Sequence, residues 1–277
     1  MNQRILAVSA YLFRSFLFSL AGLLYILLAL AYYMVLFDPR QLTPDPDYYI
    51  LVLGLLGLGL SFLVTLSIAA RANNASHFPL IVRLPSRIEY LTAVFFSSIL
   101  FASIIQFVIA LIALVANGPN LDFREYLLIP PFWISGNVLF AVLSLHATDL
   151  VTAGWSRVYV FATIGLLLYL QSGLDVLSDW LSNLFNQFGN TLLATGLDAL
   201  ATLAFDMANL FSEGSSSALG SALSLVFWPF KAIVEAAING HFTPLQALAP
   251  AFLMTYAALL FVLAAKFFSK KDLFLSE

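Results

Sequence analysis

The sequence contains no cysteine and unusually few charged residues. Without cysteine the chain has no disulfides, no thiolate metal ligands and no cysteine nucleophile. Only 10% of its 277 residues are Asp, Glu, Lys or Arg, whereas soluble proteins average about 25%. A soluble domain of this length needs more charge to cover its surface, so the composition excludes a soluble enzyme.

A basic surface is also missing. The chain has 12 Lys and Arg residues against 15 Asp and Glu, and this balance excludes the electropositive surface that nucleic-acid binding requires. Hydrophobic residues make up 61% of the chain, and the mean hydropathy is +0.95, which excludes a disordered protein. We therefore expect an all-α, polytopic membrane protein.

Catalytic and metal-binding motifs are missing as well. The sequence has neither a glycine-rich phosphate loop nor an HExxH pair. Its histidines, His77, His146 and His241, fall in separate segments, so we expect them near membrane interfaces rather than in one metal site. We predict that the protein is not an enzyme and that this chain binds no metal and no cofactor.

Six apolar stretches are long enough, or nearly so, to cross the hydrocarbon core as helices of about 20 residues. They cover residues 15–37, 48–70, 91–116, 126–147, 158–174 and 245–265. The stretch at 158–174 is the shortest and lies at the lower end of the spanning range. We predict one transmembrane domain over residues 1–277 with six spans.

The distribution of charge predicts the orientation. With a cytoplasmic N-terminus, nine Lys and Arg residues lie inside with four acids, and three lie outside with eleven acids. Enrichment of Lys and Arg on the inner side is typical of cytoplasmic loops. We therefore expect a multi-pass protein of a prokaryotic plasma (inner) membrane with both termini in the cytoplasm.

The segment before the first span has its own pattern. Residues 2–14 combine regularly spaced apolar positions with Arg4 and Arg14, which favours a helix lying in the cytoplasmic interface. The alternative is that these residues are only the basic flank of the first span.

Residues 175–243, between the fifth and sixth spans, form the largest extramembrane region. Apolar positions recur at helical spacing over 177–188, where Gly189-Asn190 is expected to end the helix, and again over 193–210. A third amphipathic helix, kinked at Pro229, is expected at 222–238. We predict that these helices are extracytoplasmic and lie on the membrane surface. The alternative, that one or two of them cross the membrane, would place acidic side chains at membrane depth.

Polar and small residues are the distinctive positions within the spans. No span contains the Asp, Glu, Lys or Arg expected of a proton- or ion-coupled carrier. Gln106 and Asn137 are expected to form interhelical hydrogen bonds. Small or aromatic residues that are candidates for a translocation path or a dimer seam are Gly54, Gly57, Ser61, Thr65, Tyr159 and Tyr169. The alternatives are packing within the subunit for the small residues and contact with lipid for the tyrosines.

The loop after the second span carries a motif. Residues 84–91 read Leu-Pro-Ser-Arg-Ile-Glu-Tyr-Leu. Pro85 fixes a bend, and Ser86 can cap the helix that follows. The negative charge of Glu89 is favoured by the dipole at the N-terminus of that helix. The same features would also anchor any span.

This motif resembles the segment that follows the coupling helix in the six-span permeases of type V ABC exporters, which export drugs, lipids and polysaccharides. The expected topology agrees with that family along most of the chain. The sequence departs from the family in two places. Residues 71–78 are rich in Asn where the family has an acidic, glycine-containing helix, and Ala93-Val94 replaces a Gly-Lys pair.

The resemblance implies the transmembrane subunit of an ATP-driven exporter of amphiphilic or lipid-like substrates. It implies a second copy of the chain, surrounding membrane lipids, and a separate ABC-type ATPase subunit that holds ATP and Mg; no nucleic acid is expected. The residues that would couple to the ATPase are His77, Arg83, Pro85, Ser86, Arg87, Glu89 and Tyr90. The alternative is a structural integral-membrane subunit of a larger complex without transport activity.

Overall fold

A computed structural model describes most of the chain. The described residues are 2–37, 45–74, 77–151, 158, 161–166, 174–212, 218–239 and 243–270. They contain helices joined by short turns and no β-strand, which confirms the all-α fold class.

The principal helices follow the apolar pattern of the sequence. Their bounds are α1 (Asn2–Leu17), α2 (Leu20–Leu36), α3 (Pro46–Ala72), α4 (Phe78–Arg83), α5 (Arg87–Asn117), α6 (Phe123–Ala147), α7 (Leu174–Ala194), α8 (Asp198–Ser212), α9 (Ala218–Asn239) and α10 (Ala249–Lys270). A 3₁₀ turn, Gln246–Leu248, leads into α10. α9 includes the expected helix at 222–238 and stays helical through Pro229.

Four helical segments of the described chain are long and apolar enough to cross a membrane: Pro46–Ala72, Arg87–Ala116, Glu125–Ala147 and Gln246–Lys270. They coincide with the second, third, fourth and sixth expected spans. α1 and α2 are apolar enough only when taken together as a bent pair, and the total is five if that pair forms one broken span. The fifth expected span, 158–174, lies mostly outside the described residues, so six spans stay a prediction.

The first expected span is broken rather than continuous. Helix α1 ends at Leu17, α2 begins at Leu20, and the two are bent by 70°. The Ser19 hydroxyl donates to the Phe16 carbonyl at 2.6 Å and accepts from the Gly22 amide at 3.1 Å. Because this side chain satisfies backbone groups at the break, it stabilises a new helix start there. The first expected span, 15–37, is therefore divided between two helices, with residues 15–17 in α1.

Helix α3 lies at the centre of the bundle and packs against α5 and α6. Tyrosine hydroxyls join it to α2: Tyr32 donates to the Val52 carbonyl and Tyr48 to the Leu36 carbonyl, both at 2.8 Å. Such bonds satisfy the phenol within an apolar helix pair. They hold α2 against α3 although neither helix carries a charge in the contact.

The chain divides into two compact units. One contains Met1–Val158 and Pro229–Glu277, and the other Tyr159–Trp228. The second unit contains α7 and α8, which pack together as a hairpin.

Within the hairpin, the prediction that Gly189-Asn190 ends a helix is wrong. Helix α7 continues to Ala194, and the chain turns at Gly196, which has a φ of 76°. Gly189 instead lies against the ring of Phe205, which would be 2.8 Å from an added Cβ. The glycine allows the two helices to approach closely, and a helix tolerates glycine in its interior at a cost of about 1 kcal/mol.

The hairpin has an apolar and a polar side. Large apolar side chains are exposed at Trp180, Leu184 and Phe188 on α7 and at Leu200, Leu203 and Met207 on α8. Exposed polar residues on α7 include Asp179, Asn183 and Asn186, and those on α8 include Asp198, Thr202 and Asp206. Small residues, including Ala201, Ala204 and Ala208, are buried. Helical spacing in an antiparallel pair places both apolar rows on one side of the hairpin.

We predict that the apolar side of the hairpin lies in the lipid interface, because burying each large apolar side chain there contributes about 1.5–3 kcal/mol. The test uses the cysteine-free chain, with a nitroxide at Leu184→Cys and, as the control, at the polar Asn183→Cys. In zwitterionic nanodiscs, the label at 184 should collide with oxygen and be shielded from a water-soluble nickel chelate, with the reverse at 183. Equal nickel access at both positions would contradict the prediction.

Candidate functional site

The candidate site is the elbow that joins α3 to α5. After α3 ends at Ala72, the chain forms α4 (Phe78–Arg83) and enters α5 at Arg87. Ile81 is buried in α4, whereas Val82 is 77% exposed. The short helix therefore has one face anchored on the bundle and another face free.

Two hydrogen bonds stabilise the helix ends on either side of the elbow. Tyr90 is fully buried and its hydroxyl donates to the Ala72 carbonyl at 3.1 Å, which joins the first turns of α5 to the last residue of α3. The Ser86 hydroxyl accepts from the Ile88 amide at 3.2 Å, which confirms the predicted cap of α5. The elbow is consequently braced at its base by the Tyr90–Ala72 bond, whereas the Ser86 cap acts within the first turn of α5.

The predicted coupling residues separate into an outer and an inner group. Arg83 and Pro85 are exposed, while His77, Ser86 and Arg87 are partly buried. Glu89 is only 8% exposed, and its Oε2 has no hydrogen-bond partner within the described part of the chain. Glu89 and Tyr90 therefore lie inside the bundle and support the elbow, whereas Arg83 lies where a partner could contact it.

His77 precedes α4 and faces a cavity against α1. Burial lowers the pKa of its imidazole below the usual value, because desolvation disfavours the charged form. The same burial makes His77 a poor source of positive charge at the elbow, whereas the Arg83 side chain is exposed there.

A second cluster of polar groups joins α3, α5 and α6. The Gln106 amide donates from Nε2 to the Leu53 carbonyl at 2.9 Å, and Asn137 Nδ2 donates to Gln106 Oε1 at 2.6 Å. Both amides are fully buried, and an added Cβ on Gly57 would occupy the position of the Gln106 amide. The expected interhelical hydrogen bonds are thus confirmed, and they depend on a glycine that the sequence alone did not connect with them.

The small residues of α3 pack within one chain. Gly57, Ser61 and Thr65 are buried, and an added Cβ on Gly54 would lie 3.4 Å from Trp133 Nε1. Gly57, Ser61 and Thr65 are thus covered by neighbouring parts of the same chain, and Gly54 is partly buried; a role in a translocation path or a dimer seam stays a prediction. Tyr159 and Tyr169 lie outside the described residues.

The sequence analysis does not predict two further hydrogen bonds between helices. Ser144 donates to the Phe62 carbonyl at 2.7 Å, and His146 Nε2 lies 3.0 Å from the Leu260 carbonyl. His146, expected at an interface, is fully buried and joins α6 to α10. Each is a single polar residue in an apolar run, and the run does not reveal which neighbouring helix will face it.

The described residues bring together no group of three or more His, Cys, Asp or Glu side chains that could hold a metal ion. Comparison with protein-family models, curated proteins and solved structures finds no match for this chain. The helical fold and the four to five apolar helices define the class: a multi-pass helical membrane protein.

Proposed function

We propose that the chain is the transmembrane subunit of an ATP-driven ABC exporter. In this proposal a separate ATPase subunit binds at residues 76–90, of which residue 76 lies outside the described part. ATP and Mg are held by that partner, and two copies of the chain alternate between inward- and outward-facing states. The termini and the elbow are cytoplasmic, residues 175–243 are extracytoplasmic, and the protein resides in a prokaryotic inner membrane.

The observation that carries the proposal is the braced elbow. An exporter must transmit motion from a soluble ATPase to spans that it does not touch, and this requires a rigid surface element fixed to two of them. Helix α4 has an exposed outer face with Val82 and Arg83, and Tyr90 ties the ends of α3 and α5 beneath it. The lack of charged residues in the expected spans supports an external energy source and an amphiphilic substrate.

The second candidate function is a structural subunit of a larger membrane complex. The exposed apolar side of the α7–α8 hairpin favours it, because large exposed apolar patches mark interaction sites. The two functions differ in whether an ATPase accompanies the chain.

The test is copurification from native membranes in mild detergent, comparing Arg83→Glu with a matched charge reversal, Lys266→Glu. Both side chains are exposed, so each change should alter the free energy of unfolding by about 0.5 kcal/mol or less. We expect a nucleotide-binding subunit to copurify with the unmodified chain and with Lys266→Glu. Arg83→Glu should lower its recovery and ATP hydrolysis about tenfold, because it reverses a charge in the contact.

Absence of any ATPase, together with identical behaviour of the two variants, would favour the structural subunit. Equal recovery of an ATPase with both variants would support the exporter function but would show that Arg83 is not part of the coupling surface.

A further inference from the structure

A cavity of about 260 Å³ lies between α1, the end of α3 and the start of α4. Apolar side chains form part of its wall: Leu12, Phe16 and Ile68. Polar and basic side chains form the rest: Ser15, Arg71, Asn74 and His77. The lining contains one permanent cation, several hydrogen-bond donors and no carboxylate.

Arg71 is held in place without being neutralised. Its guanidinium lies 5.3 Å from the centre of the Phe16 ring, an arrangement that orients the planar group through a cation–π contact. Among the described residues, it forms no salt bridge with an acid. A fixed, uncompensated guanidinium beside a cavity is suited to the planar, bidentate recognition of an anion such as phosphate.

The position of the cavity distinguishes the source of that anion. Arg71 is in the last turn of the candidate span α3, and the amphipathic helix α1 forms the opposite wall. Basic pockets next to membrane-spanning helices bind the headgroups of anionic lipids, whose surface lies at this depth on the cytoplasmic side. The apolar wall can contact the upper part of an acyl chain, which a free phosphate lacks.

We propose that this cavity binds the phosphate of an anionic lipid headgroup, with Arg71 as the cation and with Ser15 and Asn74 as further donors. The site is independent of the proposed transport function, since it needs only the α1–α3 contact and the adjoining bilayer.

The experiment measures lipid binding to the purified, delipidated full chain by native mass spectrometry, with phosphatidylglycerol and phosphatidylcholine as probes. Arg71→Gln should weaken binding of phosphatidylglycerol about tenfold, because a charge-assisted contact to phosphate is lost. It should change binding of phosphatidylcholine less, because the choline cation of that lipid offsets the charge of its phosphate at the cavity. Arg83→Gln, at an exposed arginine outside the cavity, should retain binding within about twofold, since only long-range attraction is reduced.

A second pair of variants retains both Arg71 and Phe16. Ser15→Glu places a carboxylate at the cavity, and Ala10→Glu places one on α1 away from it; both positions are exposed. We expect Ser15→Glu alone to remove the preference for phosphatidylglycerol. The proposal is overturned if each cavity variant and its control lose phosphatidylglycerol binding equally. It is also overturned if neither Arg71→Gln nor Ser15→Glu weakens that binding.

An arm with inorganic phosphate separates the two sources of the anion. Millimolar phosphate should fail to displace phosphatidylglycerol, because the free ion gains nothing from the apolar wall. Displacement that depends on Arg71 would overturn the lipid assignment and identify a site for soluble phosphate.

Discussion

Replacing Gly57 with alanine is expected to destabilise the protein by about 2–3 kcal/mol. The new methyl group would occupy the position of the Gln106 amide and displace it from the Leu53 carbonyl and from Asn137. Each buried polar group left without a partner costs about 1–3 kcal/mol, although hydrogen bonds between membrane helices average somewhat less. The thermal midpoint of the detergent-solubilised protein measures the change.

Gly59→Ala is the matched control on the same helix. No atom lies within 4 Å of the Cβ that it would add, so only the higher helix propensity of alanine acts, a gain of about 0.8–1 kcal/mol. The two substitutions should therefore have opposite signs. Adding Gln106→Ala to Gly57→Ala should recover part of the loss, because the shorter side chain removes the overlap. Equal effects of Gly57→Ala and Gly59→Ala would contradict the proposed contact.

The second large effect is expected from Gly22→Ala at the joint between α1 and α2. The added Cβ would overlap the Phe16 carbonyl oxygen and lie 3.2 Å from that of Leu17. Backbone atoms cannot rotate away as a side chain can, and alanine also favours a continuous helix. We therefore expect the joint to open towards a straight helix, with a loss of about 2–4 kcal/mol from the packing of α1.

Distances between spin labels at Gln3→Cys and Met34→Cys, both exposed, test the change of shape. With the 70° bend, the helix axis positions of residues 3 and 34 are about 38 Å apart at 1.5 Å per residue. In a straight helix the same two positions would be about 46 Å apart. The longer distance should appear only with Gly22→Ala. An unchanged distance and midpoint would show that the joint accommodates the methyl group.

The spans of the described chain were predictable because apolar length is a property of consecutive residues. The cap at Ser86 was predictable for the same reason, since a serine beside a helix start acts on amides two residues away. The break at Ser19 was not, because a serine between apolar residues is tolerated within a span as well as at its start.

Contacts between residues far apart in the sequence could not be predicted. Gln106 and Asn137 were identified as hydrogen-bonding residues, but their contact with each other and with Gly57 depends on the rotation of three helices about their axes. The pattern predicts a helix end at Gly189, because the sequence does not reveal that Phe205 from α8 approaches it. The structural role of a glycine in these helices therefore depends on which side chain of a neighbouring helix packs against it.

Helix α5 also has a consequence for the depth of the elbow. Its 31 residues extend about 46 Å at 1.5 Å per residue, whereas the hydrocarbon core is about 30 Å thick. A helix tilted by about 20°, the average for membrane spans, still projects more than one turn beyond the lipid tails. The first turns of α5 and the attached α4 can therefore stand in the headgroup layer or in water, where a soluble protein could reach Arg83 without entering the bilayer.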